Sequence, residues 1–482
     1  MTFALEASRA VKPYFFEAPY PPSDVRVPAP FQLAGAEYAL SRQNAIIGDP
    51  PGVGKTAQGI LVSNALGAKS TLVICPASLR LNWEREVWMW STLPNVTTYP
   101  VLKSADGISY NHNYAIISYD LLRNPSIMAA ILGKKWDHVI LDEAHYIKDP
   151  KGNARTVPIC APDGIPSVAG RFTLLTGTLL PNQPIEAYNA FRLLDWDAID
   201  RASLDDFREQ YYDFGEGWIT KRRWNEAHKK FEFKQEWSTR VRNVPKNLDD
   251  FQRRLRTRLM VRRLRETVLP QLPARRWHLF PLEVSKDIRE ALKHPGWVAA
   301  KRFYEMDPSG FNSAVKIDGA ISSARLALGI AKAPGVTDYC EELIEEGRSK
   351  LVVGAWHHEV LNYMRDRLEK YGLCYMDGGT SPKRKDAQVQ EFRDNPEIRI
   401  MLGQTQPLGE GWNLEVAQDV VNAEPDWRPG VNEQLFDRVC RRGQKGAYVL
   451  GHLPVVPGSL DERIVGRAIE KDQVTYEALD AT

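Results

Sequence analysis

The sequence predicts an α/β protein with two lobes, each a parallel sheet covered by helices on both faces, and a helical insertion between them. Short apolar segments alternate with helix-like segments over residues 28–199 and again over residues 336–482. The alternation stops between these two sets, in a stretch rich in arginine and aromatic residues. We therefore expect an N-terminal arm (1–27), a first lobe (28–199), helical protrusions with a linker (200–335) and a second lobe (336–482).

The most specific motif of the first lobe is the segment 48–58, which joins the apolar run 45–47 to a helix-like segment. Gly52 and Gly54 can adopt backbone angles that are closed to other residues. Successive N–H groups can then converge on a phosphate at the helix N-terminus. The pattern predicts a phosphate loop between a strand and a helix.

Four side chains in or near this loop bear on ligand binding. Lys55 is expected to reach the β- and γ-phosphates of ATP, and the Thr56 hydroxyl to hold Mg²⁺. Gln32 lies shortly before the loop, and its amide can donate and accept at once, as recognition of an adenine edge requires. Asp49 departs from the strict pattern, which has glycine at that position. The expected cofactors are ATP and Mg²⁺.

An acidic pair follows the apolar strand 137–141. Asp142 is predicted to bind the magnesium ion, and Glu143 to act on a water in line with the γ-phosphate. His145 could sense whether the γ-phosphate is present. An acidic pair at a strand end is usually solvated surface, but the phosphate loop upstream in the same sheet favours the catalytic interpretation.

The second lobe has no phosphate loop of its own, but it contains the arginine-rich segment 434–444. Arg438 and Arg441 are three residues apart and share one helical face. Arginines presented from a facing domain can neutralise charge on a transferring phosphoryl group. We therefore predict that both are arginine fingers acting within one chain.

Positive charge is concentrated in one part of the chain. Residues 221–280 contain 18 Lys and Arg against 6 Asp and Glu, so the rest of this chain of net charge +2 carries −10. A long helix is predicted there, beginning after an Asn247 cap, with arginines crowding its polar face. A solvated face is the alternative interpretation, but we expect Arg262 and Arg263 to contact DNA phosphates.

The composition excludes several classes of protein. No apolar run approaches the roughly twenty residues that cross a bilayer, and the N-terminus lacks a secretory pattern. The five cysteines are scattered and never fall at Cys-x-x-Cys spacing, which argues against a zinc site or a disulfide framework. We expect a cytoplasmic, monomeric protein that has no membrane partner.

The order of the motifs resembles that of the ATPase motors of helicase superfamily two, specifically the Swi/Snf family and its annealing-helicase branch. The resemblance covers nearly the whole chain and implies two RecA-like lobes, ATP hydrolysis in the cleft between them, and movement along duplex or branched DNA. The stretches that carry it are 48–58, 75–83, 142–145, 175–178, 251–273, 356–361, 377–381, 409–414, 423–429 and 437–444.

The resemblance also assigns functions to individual positions. Further nucleotide contacts are expected at Gln58, Gly409 and Gly411. DNA contacts read no sequence when they are made chiefly to phosphates, so binding should be sensitive to salt and independent of sequence. The implied DNA contacts are Arg80, Lys148, Arg384, Thr405 and Trp427.

Three functions stay open on the sequence. The first, which the resemblance favours, is a DNA translocase or remodelling motor that hydrolyses ATP on duplex or branched DNA. The second is a helicase that separates strands of DNA or RNA. The third is a nucleotide-gated DNA clamp without directional movement, which Gln404 and Leu408 keep open because they replace the usual Ser and Gly of the family.

Overall fold

The computed structural model describes most of the chain, with gaps. It gives residues 2–22, 27–102, 112–153, 156–177, 179, 183–225, 230–270, 272–298, 319–409, 412–426, 429–441, 443–459, 461–462, 465 and 479. Within them, only the backbone is given for residues 2–3, 214–225, 230–244, 319–321 and 429. Two predicted site residues, Gly411 and Trp427, lie outside the described residues.

The first lobe is built on a seven-stranded parallel sheet. Its strands are β1 (Ala45–Ile47), β2 (Thr71–Cys75), β3 (Thr98–Pro100), β4 (Tyr114–Ser118), β5 (His138–Asp142), β6 (Phe172–Leu175) and β9 (Met260–Val261). They are ordered β3-β4-β2-β5-β6-β1-β9. Strands β1, β2, β4, β5 and β6 are buried throughout, because helices cover both faces of the sheet.

The alternation of side chains along each strand divides the core of this lobe into two layers. In β2, Val73 and Cys75 pack on one face, and Leu72 and Ile74 pack on the other. The N-terminal arm contains a helix that its sequence pattern did not indicate. The helices of this part are α1 (Thr2–Arg9), α2 (Pro30–Leu40), α3 (Lys55–Leu66), α4 (Arg80–Trp90), α5 (Pro125–Leu132), α6 (Val157–Cys160), α7 (Tyr188–Leu194), α8 (Leu204–Tyr211) and α9 (Leu248–Arg258).

The insertion is not the helical element that the sequence analysis predicted. Between α8 and α9, strands β7 (Tyr212–Asn225) and β8 (Lys230–Pro245) form an antiparallel two-stranded ribbon. The sequence there alternates aromatic with charged residues, as in Phe231, Phe233 and Trp237, and this period of two suits strands. The prediction of a helical insertion is wrong for this segment.

The prediction of a long helix that begins after Asn247 is also wrong. Helix α9 ends at Arg258, and the apolar run that follows is buried as β9 at the edge of the first sheet. A short helix, α10 (Arg265–Val268), comes next. Asn247 makes no capping hydrogen bond, since its side-chain amide donates to the Gln210 carbonyl.

The second lobe is a six-stranded parallel sheet with helices around it. Strand β10 lies within the stretch predicted as linker, so this sheet begins earlier than the expected boundary at residue 336. The strands are β10 (Ala274–Pro281), β11 (Leu351–Ala355), β12 (Leu373–Met376), β13 (Ile400–Gln404), β14 (Asp419–Asn422) and β15 (Tyr448–Val455), ordered β10-β15-β14-β11-β13-β12. The helices are α11 (Lys286–Ala291), α12 (Gly319–Glu345), α13 (His358–Leu368), α14 (Pro382–Asp394), α15 (Thr405–Leu408) and α16 (Pro429–Phe436).

The two parallel sheets confirm the predicted α/β fold with two lobes. The lobes also touch, because the Arg85 guanidinium of α4 donates to both carboxylate oxygens of Asp386 in α14, at 3.0 and 2.8 Å. None of the helices in the described part of the chain is long and apolar enough to cross a bilayer.

Candidate functional site

A cavity of about 470 Å³ lies between the two lobes and contains the predicted phosphate loop. The first lobe contributes residues 51–57 and the acidic pair that ends β5, and the second lobe contributes Asn413 and two arginines. All five side chains that the sequence assigned to catalysis line this one space. They are Lys55, Asp142, Glu143, Arg438 and Arg441.

The backbone of the loop has the geometry that the glycines predicted. Gly52 and Gly54 both have φ of +82°, and Gly54 directly precedes α3. A side chain at Gly54 would collide with the Gln32 amide, and its positive φ would strain any residue that has a side chain. Both reasons require glycine at this position. The Lys55 ammonium donates to the Asp49 and Pro50 carbonyls, at 2.9 and 3.2 Å, and burial lowers its pKa.

Gln32 supports the phosphate loop. It is buried against the cavity, and its amide nitrogen donates to the Val53 and Gly54 carbonyls at 3.0 and 3.3 Å. Its amide oxygen accepts from the Ala29 N–H at 2.8 Å. Because both amide hydrogens are committed to the loop, Gln32 holds the loop in place, and its contact with an adenine edge stays a prediction.

The acidic pair is held rigidly at the end of β5. The carboxylate of Asp142 accepts from the Trp83 indole N–H at 2.8 Å and from the Glu143 N–H at 3.0 Å. Burial, with a further contribution from the charge of Glu143, raises the pKa of Asp142. The Thr56 side chain lines the same cavity, and hydroxyl and carboxylate oxygens are ligands that suit Mg²⁺. These two residues fit the predicted metal ion.

Glu143 occupies a backbone conformation that is uncommon for a residue with a side chain. Its φ is +51°, and such strain is concentrated at functional positions. Burial alone would raise its pKa, but the hydrogen bond from His145 and the positive charges of Lys55 and Arg438 outweigh burial and lower it. The carboxylate is therefore ionised at neutral pH, as a proton acceptor must be.

The two arginines of the second lobe face the phosphate loop across the cavity. Arg438 is buried, and its Nε donates to the Gln434 carbonyl at 3.1 Å. Arg441 donates to the Trp412 carbonyl at 2.8 Å, and its Cγ lies 3.4 Å from the point that a Cβ of residue 52 would occupy. Burial and the neighbouring Arg438 lower the pKa of Arg441 to about 9. Both predicted fingers thus line the cavity opposite the phosphate loop.

A buried ion pair lies behind the loop, and it overturns two of the predicted contacts. Arg263 donates to both carboxylate oxygens of Asp49, and its Nη2 also donates to the Gln58 side chain at 3.1 Å. Both members of the ion pair have side chains that are 0% exposed. Arg263 therefore cannot contact DNA, and Gln58, which does not line the cavity, is not placed to contact a nucleotide.

The structure does not bring two further predicted site residues into the cavity. The Arg262 guanidinium donates to the carbonyls of Gly48 and Gly177, at 2.7 and 3.1 Å. It is therefore directed at the phosphate loop, and its contact with DNA stays a prediction. Gly409 follows α15 and is not among the described residues that line the cavity, so its nucleotide contact stays a prediction.

Replacing Asp49 by alanine should destabilise the first lobe. The substitution leaves the Arg263 charge buried without its partner, which typically costs about 3–5 kcal/mol. Calorimetric unfolding should show a lower melting temperature for the variant. Asp197→Ala, which breaks the exposed pair with Arg201, serves as the matched control and should leave the melting temperature unchanged. Equal melting temperatures for all three proteins would show that the Asp49 pair is not needed for stability.

A second and larger cavity, of about 1090 Å³, also runs between the lobes. The predicted DNA contacts Arg80 and Lys148 line it from the first lobe. Arg80 is mostly buried and donates to the Ala77 and Val101 carbonyls. The Lys148 ammonium lies 3.6 Å from the Glu186 carboxylate. His145, whose Nδ1 is 3.3 Å from the Glu143 carboxylate, lines this cavity as well.

The wall on the second lobe is built around the N-terminus of α14. Pro382 and Lys385 line the cavity there, and the exposed Arg384 lies between them in sequence. A helix N-terminus presents N–H groups that favour phosphate. Thr405 is buried, whereas its neighbours Gln404 and Gln406 line the cavity.

Two further residues at or beside the smaller cavity were not predicted from the sequence. Asn413 lines the cavity, and its side-chain oxygen accepts from Arg441. Trp83 donates to Asp142. Both lie within stretches that carried the family resemblance, 409–414 and 75–83, and this was the one signal available for them.

Comparison with known proteins gives consistent matches. The model of the SNF2-related domain matches residues 31–328, and that of the helicase conserved C-terminal domain matches residues 335–443. The Xenopus laevis SWI/SNF-related matrix-associated actin-dependent regulator of chromatin subfamily A-like protein 1 is 28% identical over 456 residues, which cover 93% of this chain and 44% of the relative. The Bos taurus DNA annealing helicase and endonuclease ZRANB3 is 28% identical over 464 residues, covering 94% and 40%.

The chain thus spans less than half the length of these curated relatives. Among solved structures, the Sulfolobus solfataricus SWI2/SNF2 ATPase core in complex with dsDNA aligns with a TM-score of 0.41 and 17% identity. The alignment covers 97% of this chain and 100% of that one.

Proposed function

The chain belongs to the family of proteins with an SNF2-related domain, and from that premise we propose that it is a DNA-stimulated ATPase that moves along duplex DNA. The bound nucleotide would be ATP with Mg²⁺, held in the smaller cavity. DNA would lie in the larger cavity between the same two lobes. Because both walls of each cavity come from one chain, we propose that a monomer is sufficient.

The observation that carries this proposal is the contact between Glu143 and His145. Glu143 lines the smaller cavity and His145 lines the larger one, and their side chains are 3.3 Å apart. A displacement of His145 by a ligand in the larger cavity would alter the position and the charge environment of the Glu143 carboxylate. Occupancy of one cavity would thereby regulate chemistry in the other.

The residues around the smaller cavity would have separate roles in phosphoryl transfer. The loop N–H groups and Lys55 would bind the phosphates, and Glu143 would accept a proton from the attacking water. Thr56 and Asp142 would hold Mg²⁺, which supplies positive charge between the phosphate oxygens. Arg438 and Arg441 would neutralise the charge that develops as the bond to the leaving group breaks.

The basic side chains of the larger cavity support the proposal that DNA is held there through its phosphates. The polar lining of the cavity includes Arg80, Lys148, Lys385 and the N-terminus of α14, which are contacts that position a backbone. The names of the curated relatives include annealing helicases, and we propose branched DNA as a further substrate class.

Displacement of a triplex-forming strand from duplex DNA tests movement directly. The parent chain with ATP should release the third strand, and the Lys55→Ala variant should not. The variant lacks the ammonium group that binds the phosphates of ATP. No release by the parent, despite normal duplex binding, would support a nucleotide-gated clamp and reject directional movement.

A second assay separates movement along duplex from strand separation. On a tailed duplex, a translocase should leave the two strands paired while it displaces a triplex on the same DNA. If ATP-dependent separation of the duplex is as fast as triplex release, the chain is a strand-separating helicase, and the proposal of a duplex translocase is rejected.

A further inference from the structure

A short segment with three arginines connects the phosphate loop to the opposite lobe. We call residues 262–265 the arginine strap. Its first two arginines, Arg262 and Arg263, bind Gly48 and Asp49 in the first half of the phosphate loop, as described above. The strap leaves β9 at the edge of the first sheet and continues into α10. One end of the strap is therefore fixed to the loop.

The other end of the strap binds the second lobe through Arg265. Its Nη1 donates to the Asp437 carboxylate at 2.6 Å, and its Nη2 donates to the Cys440 carbonyl. Only 7% of the Arg265 side chain is exposed, and that of Asp437 is 1% exposed. The same Nη2 lies 3.4 Å from the point that a Cβ of Gly52 would occupy. The guanidinium thus lies between the phosphate loop and the finger segment.

Each of these two acceptors directly precedes a finger in sequence. Asp437 comes before Arg438, and Cys440 comes before Arg441. One guanidinium therefore holds the Asp437 side chain and the Cys440 backbone carbonyl at once, and so contacts the residue next to each finger. Arg265 is not among the described residues that line the smaller cavity, and its hydrogen bonds go to the finger segment.

We propose that Arg265 is a positioning residue that holds Arg438 and Arg441 in register with the phosphate loop during hydrolysis. The inference rests on the proposed ATPase and adds a residue that acts through the fingers. Movement of the loop end of the strap would be transmitted to the finger segment, because Arg262, Arg263 and Arg265 are separated by at most one intervening residue. The strap therefore couples the state of the loop to the position of the fingers.

Arg275 provides a matched control for this proposal. It also donates to the Asp437 carboxylate, at 2.7 Å, and pairs with Glu433. It differs from Arg265 because its contacts in the described structure do not include the phosphate loop or the Cys440 carbonyl. Loss of Arg275 removes one partner of Asp437 and leaves the connection to the loop intact.

Steady-state ATP hydrolysis with saturating duplex DNA tests the inference. Arg265→Ala should lower kcat by about 10²-fold, the cost expected for a misplacement of about 1 Å, with KM for ATP within about threefold. Arg275→Ala should keep kcat within about threefold of the parent. The melting temperature of both variants identifies any general loss of folding, which would lower kcat in proportion to the folded fraction alone.

A combined variant distinguishes action through the fingers from an independent role. If Arg265 acts by positioning Arg438 and Arg441, then adding Arg265→Ala to the Arg438→Ala/Arg441→Ala variant should not lower kcat further. A further loss of kcat in that background would overturn the inference, and so would an unchanged kcat for a folded Arg265→Ala variant. Failure of the proposed function looks different, because the parent chain would then show no DNA-stimulated hydrolysis at all.

Discussion

Arg438→Ala should lower the kcat of DNA-stimulated ATP hydrolysis by about 10³–10⁵-fold, the range associated with arginine fingers. The side chain is buried in the wall of the smaller cavity that the second lobe contributes. Its positive charge is close enough to lower the pKa of Glu143 across the interface between the lobes. A guanidinium there acts on charge that develops only in the transition state, so ATP affinity should change little.

Parallel measurements of kcat and of ATP binding check this expectation. Arg201→Ala is a suitable control, because Arg201 is exposed and, within the described part of the chain, pairs with its near neighbour Asp197. The control should hydrolyse ATP at the parental rate. If Arg438→Ala retains normal turnover, the assignment of Arg438 as a finger is wrong.

Glu143→Gln should lower turnover by about 10²–10⁴-fold, the usual contribution of a general base. The amide keeps the size of the side chain but cannot accept the proton of the attacking water. Because the loop and the fingers are untouched, ATP should still bind and should remain trapped between the closed lobes. Rapid filtration with labelled ATP measures the retained nucleotide, and its chemical form shows whether it has been cleaved.

The matched control for that experiment is Glu290→Gln. Glu290 lies on α11 of the second lobe and pairs with Lys293. Neither residue is among the described residues that line the two cavities. This variant should turn over ATP normally and retain none. If Glu143→Gln hydrolyses ATP at the parental rate, Glu143 is not the base. If the variant releases uncleaved ATP rapidly, the cleft does not close around the nucleotide.

Residues around the smaller cavity were predictable because local sequence determines them. The glycine angles, the helix N-terminus after Gly54 and the acidic pair after β5 each follow from a few adjacent residues. In a parallel sheet the carboxyl ends of the strands lie along one edge, which brings such motifs together without knowledge of the full topology. The arginines of the second lobe required one further assumption, that two sheets face each other.

The ribbon and the strap were not predictable by the same reasoning. Arg263 pairs with Asp49 across 214 positions of sequence, and a run of arginines looks the same whether it is solvated, bound to phosphate or buried. The signal for this ion pair in the sequence is Asp49, which replaces the glycine of the strict phosphate-loop pattern. A buried carboxylate beside a phosphate loop needs a cationic partner. The sequence signal for the ribbon is its alternation of aromatic and charged residues, which has the period of two of a strand.

The most direct test of the whole account is ATP turnover measured with and without blunt duplex DNA at one fixed salt concentration. The account predicts a low rate without DNA and a several-fold or greater increase when duplex is added, since DNA in the larger cavity acts on Glu143 through His145. The same rate with and without DNA would contradict it.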